Sequence, residues 1–117
     1  MLFLEYPPCT TCKKAKNWLQ NHNIEFTPRH IKTENPTAEE LSGWQEKSGL
    51  ELKKFFNTSG LVYKNLGLKD KLPAMTRQEQ LDLLASDGML VKRPILVTED
   101  TVLVGFKEKD WEKLLQK

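Results

Sequence analysis

The sequence predicts an α/β fold: a mixed sheet built from a βαβ unit and a ββα unit, with a helical insertion between them. Three observations carry that expectation. Short apolar runs near the start of the chain flank an amphipathic segment from Lys13 to Asn21, the pattern of strand, helix, strand. Two capping-box signatures, Thr37-x-x-Glu40 and Thr76-x-x-Glu79, mark helix starts in the middle of the chain. Two further apolar runs follow Pro94 and precede a last helical pattern.

Taken in order, Leu2-Phe3-Leu4-Glu5-Tyr6 reads as the first strand, stopped by Pro7-Pro8 because proline cannot donate to a ladder. A helix beginning near Thr10 places Ala15, Trp18 and Leu19 on one face, with Lys13, Lys14, Lys16, Asn17 and Gln20 outside it. Ile24-Glu25-Phe26 through His30-Ile31 reads as the second strand, so the crossover is right-handed and the pairing parallel. Thr37 then opens a helix that buries Leu41 and Trp44 and ends at Gly49. Phe55 and Phe56 fall in a connecting segment that closes over the core, and a helix carrying Leu81, Leu84 and Ala85 ends at Gly88. Ile95-Leu96-Val97-Thr98 and Thr101-Val102-Leu103-Val104-Gly105 form an antiparallel hairpin, although Glu99-Asp100 is not a favoured turn pair. Trp111, Leu114 and Leu115 define a closing helix. Residues 1–117 thus read as one domain with an insertion over about 37–88. This order resembles that of thioredoxin-like domains, which lack so large an insertion.

A chain of 117 residues suits a single two- or three-layer core. Its 18 basic and 16 acidic side chains leave a net charge of only +2, so no global field recruits nucleic acid. No apolar run approaches the roughly 18–20 residues needed to span a bilayer. The opening stretch is broken by Glu5 too soon for a secretory signal, and the expected location is cytoplasmic. In a reducing compartment a close cysteine pair is catalytic or metal-binding rather than structural. Cys9, Cys12, His22 and His30 do not have zinc-finger spacing, so no metal is expected.

Cys9-Thr10-Thr11-Cys12 lies between the first strand and the first helix. At a helix N-terminus, unpaired amide donors and the positive end of the macrodipole favour thiolate over thiol. Lys13 and Lys14 in the first turn are expected to add positive charge. The first cysteine presents its sulfur at the helix tip and the second lies one turn in. Cys9 is therefore the expected nucleophile, and Cys12 is placed to attack a mixed disulfide on Cys9. By analogy with thioredoxin-like folds, Pro94 occupies the place of the cis proline that precedes a central strand and faces the nucleophile. Arg93 then stands beside the thiolate, able to bind an oxyanion or to stabilise the sulfur anion. His22 and His30 read as surface or satisfied histidines and the tryptophans as packing residues. Lys92 and the run Lys107-Glu108-Lys109-Asp110 read as solvated surface.

With these residues in place, a family likeness emerges. The strand–Cys-Thr-Thr-Cys–helix order, the segment Phe55-Phe56-Asn57-Thr58-Ser59-Gly60-Leu61-Val62-Tyr63-Lys64-Asn65-Leu66-Gly67-Leu68, and Leu84 through Arg93-Pro94-Ile95 resemble the glutaredoxin-coupled arsenate reductases. That family also includes the Spx/MgsR-type redox regulators. The resemblance implies that Cys9 is the nucleophile, with Cys12 in place of a serine. Arg93 falls on one of three anion-binding arginines, whereas Asn57 and Phe106 stand where the other two are expected. Glu5 replaces a histidine that favours the thiolate. Thr10, Thr11, Asn57, Arg93 and Pro94 are the implied substrate-side residues. Losing two of three guanidinium groups argues against efficient arsenate turnover. The likeness implies a bacterial thiol oxidoreductase with no bound cofactor, using glutathione as co-substrate and glutaredoxin or thioredoxin as reductant. Its alternative is a redox-sensing regulator that binds RNA polymerase.

Overall fold

In the computed structural model, which describes residues 1–113, four strands form one mixed sheet in the order β2-β1-β3-β4. β1 (Leu2–Glu5) pairs in parallel with β2 (Thr27–His30), with Leu2 opposite Thr27 and Glu5 opposite His30. β3 (Ile95–Val97) runs antiparallel to both β1 and β4 (Val102–Val104). The βαβ and ββα halves therefore meet at the central β1–β3 pair, as the element order requires.

Side chains alternate across each strand, and this divides the core into two layers. Leu4, Ile95 and Val102 face the insertion, where they pack with Leu41, Phe55, Phe56, Leu81 and Leu84. Phe3 and Leu96 face the other side and meet Ala15, Trp18 and Leu19 of α1 (Thr10–Asn21) and Trp111 of α6 (Glu108–Glu112). Phe3, Trp18 and Phe106 each meet Trp111 edge-on, which fixes the short terminal helix against the sheet. The helical pattern expected to continue through Leu114 and Leu115 lies outside the described residues.

The insertion contains α2 (Ala38–Ser48), α3 (Leu61–Asn65), α4 (Leu68–Lys71) and α5 (Arg77–Ser86). Both capping boxes form as expected. The Thr37 hydroxyl accepts from Glu40 N–H while the Glu40 carboxylate accepts from Thr37 N–H, and Thr76 and Glu79 repeat the exchange. Gly49 ends α2 in the left-handed conformation, φ 70°. Phe55 closes a 3₁₀ turn (Leu52–Phe55), and Phe56 follows it and bridges to Val91.

Two boundaries differ from expectation, and one expected turn needs an explanation. The second strand begins at Thr27 rather than Ile24, because Asn23 takes a left-handed turn and Ile24 N–H still bonds to the Leu19 carbonyl at the end of α1. α5 stops at Ser86, and Gly88 does not terminate it. Gly88 instead opens a 3₁₀ turn (Gly88–Leu90) pressed against the Ile31–Lys32 backbone, where a Cβ would overlap the Ile31 carbonyl. The hairpin closes around Glu99-Asp100 despite their poor turn propensity, because the Thr98 hydroxyl accepts from both Asp100 N–H and Thr101 N–H.

Candidate active site

β1 runs into the rigid sequence Tyr6-Pro7-Pro8-Cys9, a tight turn closed by Cys9 N–H donating to the Tyr6 carbonyl at 2.8 Å. The two prolines fix φ at both central positions, so the chain enters α1 with Cys9 as its N-cap residue. The Cys9 sulfur does what a capping oxygen does elsewhere: it accepts from Cys12 N–H at 3.4 Å. Cys9 is half-buried, whereas Cys12, one turn in, is fully buried; both are free thiols.

The peptide bond between Arg93 and Pro94 is cis, and Pro94 is buried ahead of β3. This turn delivers Arg93 to the thiol. Its guanidinium carbon lies 5.0 Å from the centroid of the Tyr6 ring, a cation–π contact. Arg93 Nε and Nη1 are buried without a hydrogen-bond partner among the described residues. This arginine is therefore not the solvated surface residue that long basic side chains usually are. It holds unfilled donors beside a sulfur anion, which is the chemistry of anion capture.

The electrostatics separate the two cysteines. Burial is the largest influence on Cys9 and opposes ionisation. The N–H and thiol of Cys12, with the hydrogen bond and charge of Arg93, together outweigh it and leave the Cys9 thiol below its ordinary pKa. Burial pushes Cys12 up to about 12; the Tyr6 backbone opposes this, and the neighbouring Cys9 sulfur reinforces it. Lys13 and Lys14, expected to assist the thiolate, are exposed and are not among the groups that set the Cys9 pKa. The first-turn charge is supplied across the site, from Arg93.

The other expected residues fall into place around this centre or away from it. Thr10 and Thr11 occupy the exposed first turn of α1. Glu5 is buried and ion-paired with Lys16 at 3.4 Å, so its carboxylate is compensated within the α1 side of the sheet. Asn57 is tied by its backbone to Leu90 and Gly60, and its side chain packs beside Gly60. Phe106 is spent on Trp111, with ring centroids 4.9 Å apart. Among the described residues Arg93 is thus the cation that acts on Cys9. His22 contacts the Trp18 carbonyl through Nδ1, and His30 Nδ1 accepts from Lys32 N–H and Thr33 N–H, so both are structural. Among the described residues no group of three or more potential metal ligands comes together, and no helix is long and apolar enough to cross a membrane. Tyr6 is the site residue the sequence reading missed. It reads as the last residue of a strand, and no local pattern links it to Arg93, 87 positions later in the chain.

Comparison with known proteins places the chain in a family. The chain is 54% identical over 113 residues to the uncharacterized protein YusI of Bacillus subtilis, covering 97% of this chain and 96% of that one. It is 37% identical to the regulatory protein MgsR of the same organism over all 117 residues, 91% of MgsR. A crystal structure from Bacteroides fragilis described as ArsC family related superposes with a TM-score of 0.94 at 63% identity, covering 97% of this chain and 95% of that one. The profile of the ArsC family matches residues 4–114, and since this spans nearly the whole of a sheet, helix tip and arginine turn arranged around Cys9, the chain belongs to the ArsC family.

Proposed function

We propose that this protein is a cytoplasmic thiol–disulfide oxidoreductase in which Cys9 is the nucleophile and Cys12 the resolving thiol. The observation that carries this reading is the setting of the two thiols: the Cys9 sulfur caps the helix, accepting from Cys12 N–H at 3.4 Å beside the unpartnered donors of Arg93, while Cys12 lies fully buried one turn in. This setting lowers the Cys9 pKa and raises that of Cys12 to about 12. The Cys9 thiolate attacks one sulfur of a disulfide substrate and expels the other as a thiolate, leaving a mixed disulfide. That step also changes Cys12. The Cys9 sulfur is one of the groups that hold the Cys12 proton in place; once it is in a neutral disulfide, the Arg93 charge and the Tyr6 backbone act on Cys12 with less opposition. Cys12 then loses its proton to the departing thiolate or to solvent and attacks the Cys9 sulfur. The bound partner leaves as a thiol, and a Cys9–Cys12 disulfide remains. Two electrons have passed to the substrate. Glutathione, glutaredoxin or thioredoxin returns them.

The same site supports arsenate chemistry poorly. One guanidinium faces the nucleophile, and Asn57 and Phe106 are committed elsewhere. The test is mass spectrometry under non-reducing conditions after mild peroxide. Wild-type protein should lose two hydrogens, and Cys12→Ser, treated with peroxide in the presence of reduced glutathione, should instead trap a glutathione adduct on Cys9, with peroxide as the two-electron oxidant. Absence of the intramolecular disulfide refutes the reading. Arsenite release from arsenate, with glutathione and glutaredoxin present, should stay near background in wild type.

A second reading is favoured by the full-length similarity to the regulatory protein MgsR. Here the Cys9–Cys12 disulfide is a sensor rather than a catalytic intermediate, and the reader is RNA polymerase. Pull-down of polymerase by oxidised but not reduced protein would establish it; no retention in either state removes it.

A further inference from the structure

A groove of about 640 Å³ runs along the free edge of the sheet, and none of the thiol-site residues lines it. One wall is β4, an edge strand of the sheet; the other is formed by the end of α2 and the residues that follow it, including Glu51, Lys53 and Lys54. Thr98 N–H donates to the Thr101 carbonyl and Gly105 N–H to the Pro94 carbonyl. Because antiparallel ladder bonds alternate along a strand, the N–H and C=O groups of Val102 and Val104 point away from β3. They line the groove with no other backbone partner among the described residues.

Four lysines, Lys53, Lys54, Lys92 and Lys107, line the same groove against two carboxylates, Glu51 and Asp110. Asp110 is already engaged with Lys113, and none of the four lysines forms an ion pair among the described residues. Charges that only protect a sheet edge from aggregation sit on the edge strand itself. Here the strand Val102-Leu103-Val104 is uncharged, and the cations stand on the facing walls. That is an arrangement for holding something acidic against the strand. The aromatic residues of the groove, Phe56 and Trp111, are 2% and 1% exposed and offer no face for base stacking, which favours a peptide over a nucleic acid.

We propose that this groove receives an extended acidic segment of a partner protein, which adds as a fifth strand beside β4. Backbone groups of Val102 and Val104 supply the pairing, and the four lysines select for carboxylates on the incoming chain. The proposal does not depend on what Cys9 does, and its test leaves the thiols untouched. A fluorescein-labelled octapeptide alternating glutamate and valine is titrated by anisotropy against wild type and a Lys53→Glu/Lys54→Glu variant of equal melting temperature. The expected result is affinity that falls at least about tenfold in the variant and weakens with salt. Hydrogen exchange of the Val102 and Val104 amides should slow in the complex. Equal binding by the variant, unprotected Val102 and Val104 amides, equal binding of a lysine–valine peptide, or displacement by a short oligouridylate at lower concentration overturns the proposal. So does failure of wild type to bind at about 1 mM peptide, the weak end of specific recognition.

Discussion

The groups around the Cys9 sulfur come from two distant parts of the chain. Cys12 N–H arrives with the helix, and Arg93 arrives through the turn before β3. Alkylation rate follows thiolate fraction, so the pH midpoint for Cys9 should lie below the usual 9.0, while Cys12 stays unreactive until the pH approaches about 12. Arg93→Gln removes a charge and a hydrogen bond that favour the thiolate, and should move the Cys9 midpoint upward. An unchanged midpoint in iodoacetamide kinetics would mean that Arg93 does not act on the sulfur. Tyr6 acts through Arg93: its ring face lies 5.0 Å from the guanidinium carbon. Tyr6→Leu should therefore raise the midpoint by less than Arg93→Gln does, and Tyr6→Phe, which keeps the ring, should restore it. Loss of reactivity without a shift in pH profile would assign Tyr6 a packing role only.

Single elements depend on contacts that their own sequence does not announce. The capping boxes of α2 and α5 are local devices and were legible as such. Gly88 was not. A glycine after a helical run reads as a terminator, but here it is required by a second chain segment, the Ile31–Lys32 backbone, passing against it. Gly88→Ala forces that backbone to move and should cost at least about 2 kcal/mol in urea unfolding. A loss below about 0.5 kcal/mol would show that the segment yields freely. β2 starts three residues later than its apolar residues suggest, for a similar reason. Ile24 and Phe26 look like strand residues because they are apolar, yet they are used to pack the α1 layer.

At the scale of the molecule, one ion pair among the described residues joins the sheet to the insertion. Arg29 on β2 forms a two-point contact with Glu40 on α2, at 2.7 and 2.9 Å, and its other donors reach the Glu34 and Asn35 carbonyls. The Arg29 guanidinium is the main cause holding Glu40 at about 2, below its ordinary 4.5. A carboxylate with a depressed folded pKa stabilises fully above its unfolded value and loses that contribution as pH falls towards the folded one. Stability should therefore decline between about pH 4.5 and 2. The amount is about 1 kcal/mol, because the pair is partly exposed and screened. Glu40→Gln keeps a capping side chain but not the charge. It should flatten this part of the pH profile in thermal melts; an unaltered slope would place the acid lability elsewhere.

The sequence by itself determined the order of βαβ unit, helical insertion and ββα unit, the two helix caps and the helix-tip setting of Cys9 with Cys12 one turn behind, but not the short helices α3 and α4. Each of these depends on neighbours within a few positions, through 3.6- or two-residue periodicity, capping spacing or the dipole of a single helix. Only the tertiary structure decided that Lys13 and Lys14 take no part beside Arg93 in setting the Cys9 thiol, that Tyr6 carries Arg93, and that β4 lines a lysine-walled groove. Those relations join residues far apart in the chain. They exist only once the sheet has set β1 beside β3, because charge–charge and ring–cation energies depend on distances in space that the order of residues does not record.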